Sequence, residues 1–260
     1  MYDLHAHILP EIDDGAKNPE DTVEMARIAA KDGTKVMLAT PHRKDVTERS
    51  SVSYVKEILD DMNQRIQEEN IGLSLVLGME NHLDLDLPDE VSRGRALPMN
   101  ETRYILVEAP FFGRPNYMED VLFQLQIMGL VPVLAHPERI EAFQKDPRFL
   151  SNLIGRGMLS QITSGSIVGH FGRRVRRISN EFLRRGMVHV IASDTHFPKG
   201  PRSPILCPGI EAAANIIGVE KAQQMVQVTP KAILEDIPVQ VELPKDSVRS
   251  NRKWFFWRRG

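Results

Sequence analysis

Four side chains able to hold a cation lie close together at the start of the 260-residue sequence: His5, His7, Asp13 and Asp14, in the stretch YDLHAHILPEIDDG. At a strand period of two, His5 and His7 point to the same side and can grip one ion together. Asp and Gly form turns and Asp binds divalent metals, so the Asp13-Asp14-Gly15 turn returns carboxylate oxygens toward the same spot. Either aspartate could be the one that reaches it. A lone His-x-His also fits a polar strand end, so the remaining ligands have to come from further along the chain.

They come at the ends of short apolar runs. Run 35–42 ends in His42, run 74–80 in Glu80 and run 104–108 in Glu108. Run 131–136 ends in His136, with Arg139 on the loop beyond, and run 188–196 ends in Asp194 and His196, with Arg202 following. Singly, each has a bland reading: a histidine capping a strand, or a carboxylate paired with an arginine. Jointly, they would put several charges into a low-dielectric funnel, which is prohibitive unless cations neutralise them. Imidazole and carboxylate without thiolate suit Zn, Mn or Fe. The set is large enough for two or three ions if a carboxylate bridges, and adjacent ions are the usual apparatus of phosphoester hydrolysis. Arg139 and Arg202 could hold phosphate oxygens through paired hydrogen bonds. His189 sits too early in its strand for this role, while His82 and His170 could reach the mouth or simply be exposed.

The elements that must position these groups read as alternating strands and helices. Helices are expected over 19–31 (Asn18 as cap, Pro19 first, Gly33 as stop), 52–69, 116–128, 147–156 and, after a sixth strand at 160–165, a long one over 167–186. Short helices over 208–217, 220–227 and 230–235 close the domain. Seven strands alternating with helices imply βα units and a parallel sheet, and at this length a closed barrel is the economical solution. The carboxyl ends of all strands then share one face, where the ligands lie.

Composition narrows the classes. The 42% hydrophobic content fills a sizeable core, and no linker interrupts the chain, so one domain over 1–244 is expected. The net charge of −2 is uneven: 245–260 carries six Lys/Arg against one Asp, a net of +5, which leaves −7 on 1–244. An acidic body argues against a nucleic-acid binder. The single Cys207 permits no disulfide framework. A cysteine-based tyrosine phosphatase needs Arg six positions after its nucleophile, and position 213 is Ala. No P-loop is present. With no secretory n- and h-regions and no membrane-length apolar run, a cytoplasmic protein is expected. The tail 245–260 interleaves basic residues with Trp254, Phe255, Phe256 and Trp257, and is expected either to be solvated or to rest on an anionic membrane surface.

Together, HAHILPEIDDG, ATPH, GME, ILVEAP, VLAHPER, SQITSGS and ASDTH resemble the metal-dependent protein-tyrosine phosphatases of the polymerase and histidinol phosphatase (PHP) superfamily, of the bacterial capsule and exopolysaccharide type. The resemblance implies a distorted (β/α)7 TIM-like barrel and a trinuclear site. His5, His7, Glu108 and Asp194 would hold one ion; Glu80, His136 and a bridging Glu108 a second; Asp14, His42 and His196 a third. Arg139 and Arg202 resemble the family's phosphate-binding arginines, and manganese is the implied ion, with iron or zinc as substitutes. The implied reaction is attack of a metal-bound hydroxide on phosphotyrosine, on a membrane-associated bacterial tyrosine kinase that controls polysaccharide synthesis. The rival readings are a histidinol-phosphatase-like small-molecule phosphoesterase and a non-catalytic kinase-binding regulator.

Overall fold

The computed structural model describes residues 1–241, so the basic aromatic tail lies outside the described residues. Among the described residues eight strands, every pairing parallel, form two sheets. The first runs β1 (Tyr2–Ala6), β2 (Val36–Ala39), β3 (Ser74–Leu77); the second runs β4 (Asn81–His82), β5 (Tyr104–Glu108), β6 (Val131–Ala135), β7 (Leu159–Thr163), β8 (Val190–Ala192). This is an α/β fold of parallel sheets. The expected third strand is split: β3 belongs to one sheet and β4 to the other, and Gly78, Met79 and Glu80 cross between them. At the opposite edges the chain after β8 runs beside β1. There the Asp194 amide donates to the His5 carbonyl at 2.9 Å and the His7 amide to the Thr195 carbonyl at 2.8 Å.

Strand side chains alternate between two layers, as pleating requires. Leu4, Leu38, Tyr104, Leu106, Val133 and Val190 meet in one buried cluster drawn from both sheets. Alternate residues such as Met37, Ile105, Leu134 and Ile191 turn to the other face, into the two clusters shared with the helices. Burial on both faces explains why these strands read as continuous apolar runs.

In β1 the register against β2 shifts between Asp3 and Ala6. Ahead of the shift Leu4 belongs to the cluster between the sheets; after it Ala6 and Ile8 belong to the layer under the first helices. One extra residue has changed the phase of the strand, and His5, next in sequence to Leu4, turns its ring inward to Gln161 on β7, with His7 Nε2 facing it.

The helices are α1 (Pro19–Asp32), α2 (Arg43–Arg49), α3 (Val52–Glu68), α4 (Leu87–Ser92), α5 (Met118–Ile127), α6 (Glu141–Lys145), α7 (Pro147–Gly155), α8 (Ser164–Val168), α9 (Arg173–Arg185), α10 (Cys207–Ile217), α11 (Val219–Gln224) and α12 (Val228–Leu234). The first has the expected caps: Asn18 Oδ1 accepts from the Asp21 amide at 2.8 Å, and Gly33 closes the last turn in the left-handed conformation. The expected helix over 167–186 is instead two, α8 and α9, broken where Gly169 and Gly172 take φ of 103° and 93°. Gly169 ends α8 in the left-handed conformation, and Gly172, at φ 93° and ψ 166°, turns the chain into the start of α9. No helix among the described residues is long and apolar enough to cross a membrane.

Candidate metal centre

His5 and His7 project from the end of β1, both fully buried. Each ring is oriented by an acceptor on its far side. Nδ1 of His5 donates to Gln161 Oε1 on β7 at 3.0 Å, and Nδ1 of His7 to Asp13 Oδ2 at 2.7 Å. With both Nδ1 protons committed, the two Nε2 atoms face each other 3.2 Å apart. Two lone pairs at that separation repel unless a proton or a cation lies between them.

The Asp-Asp-Gly turn divides the labour that the sequence left open. Asp13 is buried and accepts from His7 Nδ1, the His42 amide (3.0 Å) and the Gly15 amide (3.0 Å), so it positions its neighbours. Asp14 is the outward member, its side chain 61% exposed, with Oδ1 3.2 Å from His196 Nε2 and 3.5 Å from His42 Nε2. Gly15 is obligatory here, since a Cβ would fall 2.0 Å from the His7 carbonyl oxygen.

Glu80, in the crossing between β3 and β4, lies at the centre. Its oxygens are 3.3 Å from His5 Nε2, 3.3 Å from His7 Nε2, 3.1 Å from His42 Nδ1 and 2.9 Å from His136 Nε2. Glu108, at the end of β5, reaches His136 at 3.5 Å and His82 at 3.4 Å. Among the described residues Glu80 is thus the glutamate within 4 Å of both His5 and His7, the place beside which the resemblance implies Glu108. The reason is the split strand, whose crossing carries Glu80 over the strand ends while Glu108 stays beside β4. Asp194 Oδ1 completes the floor, 3.6 Å from His5 Nε2 and 3.7 Å from His7 Nε2. His196 donates from Nδ1 to the Asp194 carbonyl at 3.1 Å, which leaves Nε2 toward Asp14. His136 and Asp194 both hold positive φ, 31° and 52°, strain of the kind that collects at functional sites.

The electrostatics follow from crowding carboxylates around buried rings. Burial opposes charge on His7 and His42, but Asp13 and Glu80 for the first, and Asp14 and Glu80 for the second, outweigh it and raise the rings to about 10 and about 11. Asp194 and Glu80 are held well below the usual carboxylate range despite burial, by His5 and other neighbouring positive groups. Glu108 rises to about 7 through burial and the adjacent Glu80, and His136 falls to about 4 through burial and Arg139. Bound protons here balance an excess of carboxylates, as divalent cations would. The donors also group as cation ligands do. His7, Asp14, His42 and His196 form one set; His5, His7 and Glu80 a second; His42, His82 and Glu108 a third; Glu80, Glu108 and His136 a fourth. Within each set the ligand atoms lie within 4.8 Å of one another. Nitrogen and carboxylate oxygen without sulfur fit a divalent ion of the Mn, Fe or Zn type.

Over this floor Arg139 and Arg202 arrive from two loops and converge on Asp194, Arg139 through Oδ2 and Arg202 through Oδ1 at 2.8 Å. The cleft they overhang has a volume of ≈ 430 Å³ and is walled by Leu83, Phe111 and Tyr117. The Phe111 ring lies nearly parallel to His136 at 5.6 Å, and Arg139 stands 5.1 Å from its centre.

Every expected ligand position from His5 to His196 lines this one site. Sequence reasoning missed Gln161 and Asp13's positioning role, and of the two places it left open for His82 the structure shows the mouth, beside Glu108. Gln161 carries one legible sign: a long polar side chain in step with Leu159 on a strand that is buried throughout. His189 lies elsewhere, its Nδ1 accepting from the Ser160 amide at 3.1 Å, and His170 contacts the Pro201 carbonyl at 3.1 Å.

Residues 1–235 match the family described as capsular polysaccharide synthesis, CpsB/CapC. The chain belongs to that family. Among its CpsB/CapC relatives, the tyrosine-protein phosphatase YwqE of Bacillus subtilis (strain 168) is 38% identical over 196 residues, 75% of this chain and 77% of YwqE. The tyrosine-protein phosphatase CpsB of Streptococcus pneumoniae is 26% identical over 241 residues, 91% of this chain and 99% of CpsB. A solved chain from the crystal structures of YwqE from Bacillus subtilis and CpsB from Streptococcus pneumoniae, described as unique metal-dependent tyrosine phosphatases, superposes with a TM-score of 0.87. That match has 33% identity and covers 94% of this chain and 98% of the other.

Proposed function

We propose that this CpsB/CapC-family chain is a metal-dependent protein-tyrosine phosphatase acting in capsule or exopolysaccharide synthesis. The observation that carries the reading is the convergence of Arg139 and Arg202 over a buried floor of imidazoles and carboxylates. In this reading the two sheets are one distorted (β/α)7 barrel, joined where Glu80 crosses and where β1 meets the end of β8, and one domain extends to residue 244. Two or three ions are held: one by His5, His7 and Asp194 with a glutamate, one by Glu80, Glu108 and His136, and one by Asp14, His42 and His196. Manganese is the proposed ion, with iron or zinc as substitutes.

Divalent ions at such a site supply Lewis-acid charge neutralisation and water of lowered pKa. The protein supplies the rest. Asp13 and Gln161 fix the ring tautomers so that Nε2 of His7 and His5 face the site. Arg139 and Arg202, drawn from Asp194 toward the phosphate, hold its equatorial oxygens as charge builds there. Phe111 and Tyr117 give the tyrosyl ring an apolar wall. The phenolate, with a conjugate acid near pKa ~10, leaves without full protonation. Cys207 takes no part. Its thiol donates to the Asp32 carbonyl at 3.3 Å, and burial with the nearby Asp32 pushes it up to about 11, whereas a nucleophilic cysteine needs the opposite shift.

The proposed substrate is a phosphotyrosyl protein, a membrane-associated tyrosine kinase of polysaccharide synthesis, met at the cytoplasmic face of the membrane. The test is phosphate release from a phosphotyrosyl peptide and from histidinol phosphate, with manganese, with chelator and in His136→Ala. Metal-dependent release from the peptide alone supports the reading. Preference for histidinol phosphate would assign a small-molecule phosphoesterase, and release from neither would leave a kinase-binding regulator.

A further inference from the structure

Helix α9 carries six arginines and a single acid, Glu181, in thirteen residues. Its apolar side, Ile178, Phe182 and Leu183, is buried in the core. The opposite side exposes Arg173, Arg174, Arg176, Arg177 and Arg184. None of these five has a carboxylate within 4 Å among the described residues. Outside α9, every described arginine except Arg148 has one. Four of the cations fall in the first five residues of the helix, where they repel one another and the positive end of the helix dipole. Residues 1–244 carry a net −7, so this stripe is a local exception in an acidic body. An arrangement that works against its own helix, with no ion-pair partner within 4 Å among the described residues, is a surface suited to an external anion.

Its position says which anion. The loop into α9 carries Phe171, whose ring lies 4.6 Å from the Arg139 guanidinium. Arg174 lies near enough to help lower the carboxyl of Glu141, after the larger effects of Lys145 and the Gly113 amide. The Glu141 amide in turn donates to the carbonyl of Phe111, the wall of the cleft, at 3.0 Å. The stripe thus starts at the rim of the active site and runs down the outside for about 20 Å at 1.5 Å per residue. An extended peptide covers that length with roughly six residues. A helix that inserts into a bilayer surface needs a free apolar face, and the apolar face of α9 is already buried.

We propose that the arginine face of α9 docks an acidic segment of the protein substrate, Asp and Glu side chains lying within roughly six residues of the phosphotyrosine on one side. The proposal rests on the tyrosine phosphatase reading and adds its substrate preference. Charges at the rim act on encounter and KM and are screened by salt.

The test uses the full chain loaded with manganese, as wild type and as Arg173→Gln/Arg174→Gln/Arg176→Gln/Arg177→Gln. The substrates are phosphotyrosyl peptides with one core and acidic, neutral or basic flanks on either side, and p-nitrophenyl phosphate, which has no flank and reports an intact site. Expected is a roughly tenfold higher kcat/KM for one acidic flank over the neutral peptide at low salt. Most of it should lie in KM, shrink below about twofold near 0.5 M salt, and be absent from the variant, with p-nitrophenyl phosphate turnover unchanged. Equal preference in variant and wild type, or none in wild type, would overturn the proposal. So would arginine-dependent sedimentation with phosphatidylserine vesicles, or a fall in solution mass in the variant, if either occurs without any peptide preference. Those results assign the face to a membrane or to a second copy. Failure of wild type to release phosphate from any peptide would overturn the phosphatase reading as well.

Discussion

Asp13→Asn isolates orientation from ligation. In the native turn Oδ2 takes the His7 Nδ1 proton at 2.7 Å and the His42 amide at 3.0 Å, while Oδ1 takes the Gly15 amide at 3.0 Å. An asparagine can present its oxygen to only one of these sides, so its amino group meets an N–H on the other. With the oxygen kept toward His7 Nδ1 and the His42 amide, the amino group meets the Gly15 N–H and the charge that holds the His7 proton on Nδ1 is lost. With the oxygen toward Gly15, the amino group faces both donors and the His7 proton moves to Nε2, the tautomer unable to bind a cation there. A buried hydrogen bond to a charged group is worth about 1.5–3 kcal/mol, which at 1.4 kcal/mol per factor of ten predicts a 10–100-fold weaker metal. That is the range seen when groups behind a ligand are changed. Calorimetric titration of metal-free protein with manganese reads the affinity, and phosphopeptide hydrolysis at saturating manganese reads what remains. Expected is a Kd raised about 10–100-fold with kcat recovered to within a few-fold. Affinity within twofold of wild type would refute the orientation argument, and a loss that saturating metal cannot restore would make Asp13 itself a ligand.

Other outcomes follow from the same geometry. Arg139→Ala and Arg202→Ala should each lower kcat/KM for a phosphotyrosyl peptide by roughly 10²–10³ with little change in melting temperature. Arg139→Lys should fail to restore it, because an ammonium cannot make paired hydrogen bonds. Cys207→Ser should keep phosphopeptide turnover within about twofold, since the thiol is protonated and spent on Asp32. Glu138 is fully buried and its carboxyl is raised from 4.5 to about 6, burial outweighing the Thr163 amide it accepts from. The folded chain therefore keeps a proton that the unfolded chain loses between these values, and stability falls as pH rises through that window. At 1.36 kcal/mol per pH unit the fall is about 2 kcal/mol. Urea unfolding of metal-free Glu138→Gln should show its stability relative to wild type rising by about that amount from pH ~4 to ~7.

The residue types of the site were legible because ligands at strand ends stand out against the apolar runs that precede them. His42, Glu80, Glu108 and His136 each end or follow such a run and all reach one cleft. What decides their grouping was hidden. The split of the third strand sets Glu80 beside His5 and His7, and nothing in Gly78-Met79-Glu80 announces a change of sheet. Asp13 and Asp14 are adjacent and alike, and it is the His7 ring and the backbone amides pointing at Asp13 that distinguish them. In the fold, α2, α4 and α6 escaped notice because five to seven residues are too few to display a helical period. The division of α8 from α9 was written in Gly169 and Gly172 but overridden by the apolar periodicity on both sides.

The shifted register of β1 makes two neighbours, Leu4 and His5, answer to different parts of the protein. Below it the strand is scaffold; above it the strand is an instrument mounted on that scaffold. Leu4 and His5 are the two residues between Asp3 and Ala6, so a deletion that restores strict alternation removes either a core side chain or the ring that faces His7 Nε2. Loss of His5 would leave Leu4 in its cluster and take one donor from the candidate metal set. One residue thus separates the ability to fold from the ability to catalyse, and the same inserted residue offers a place where a fold of this kind can change its chemistry without rebuilding its core.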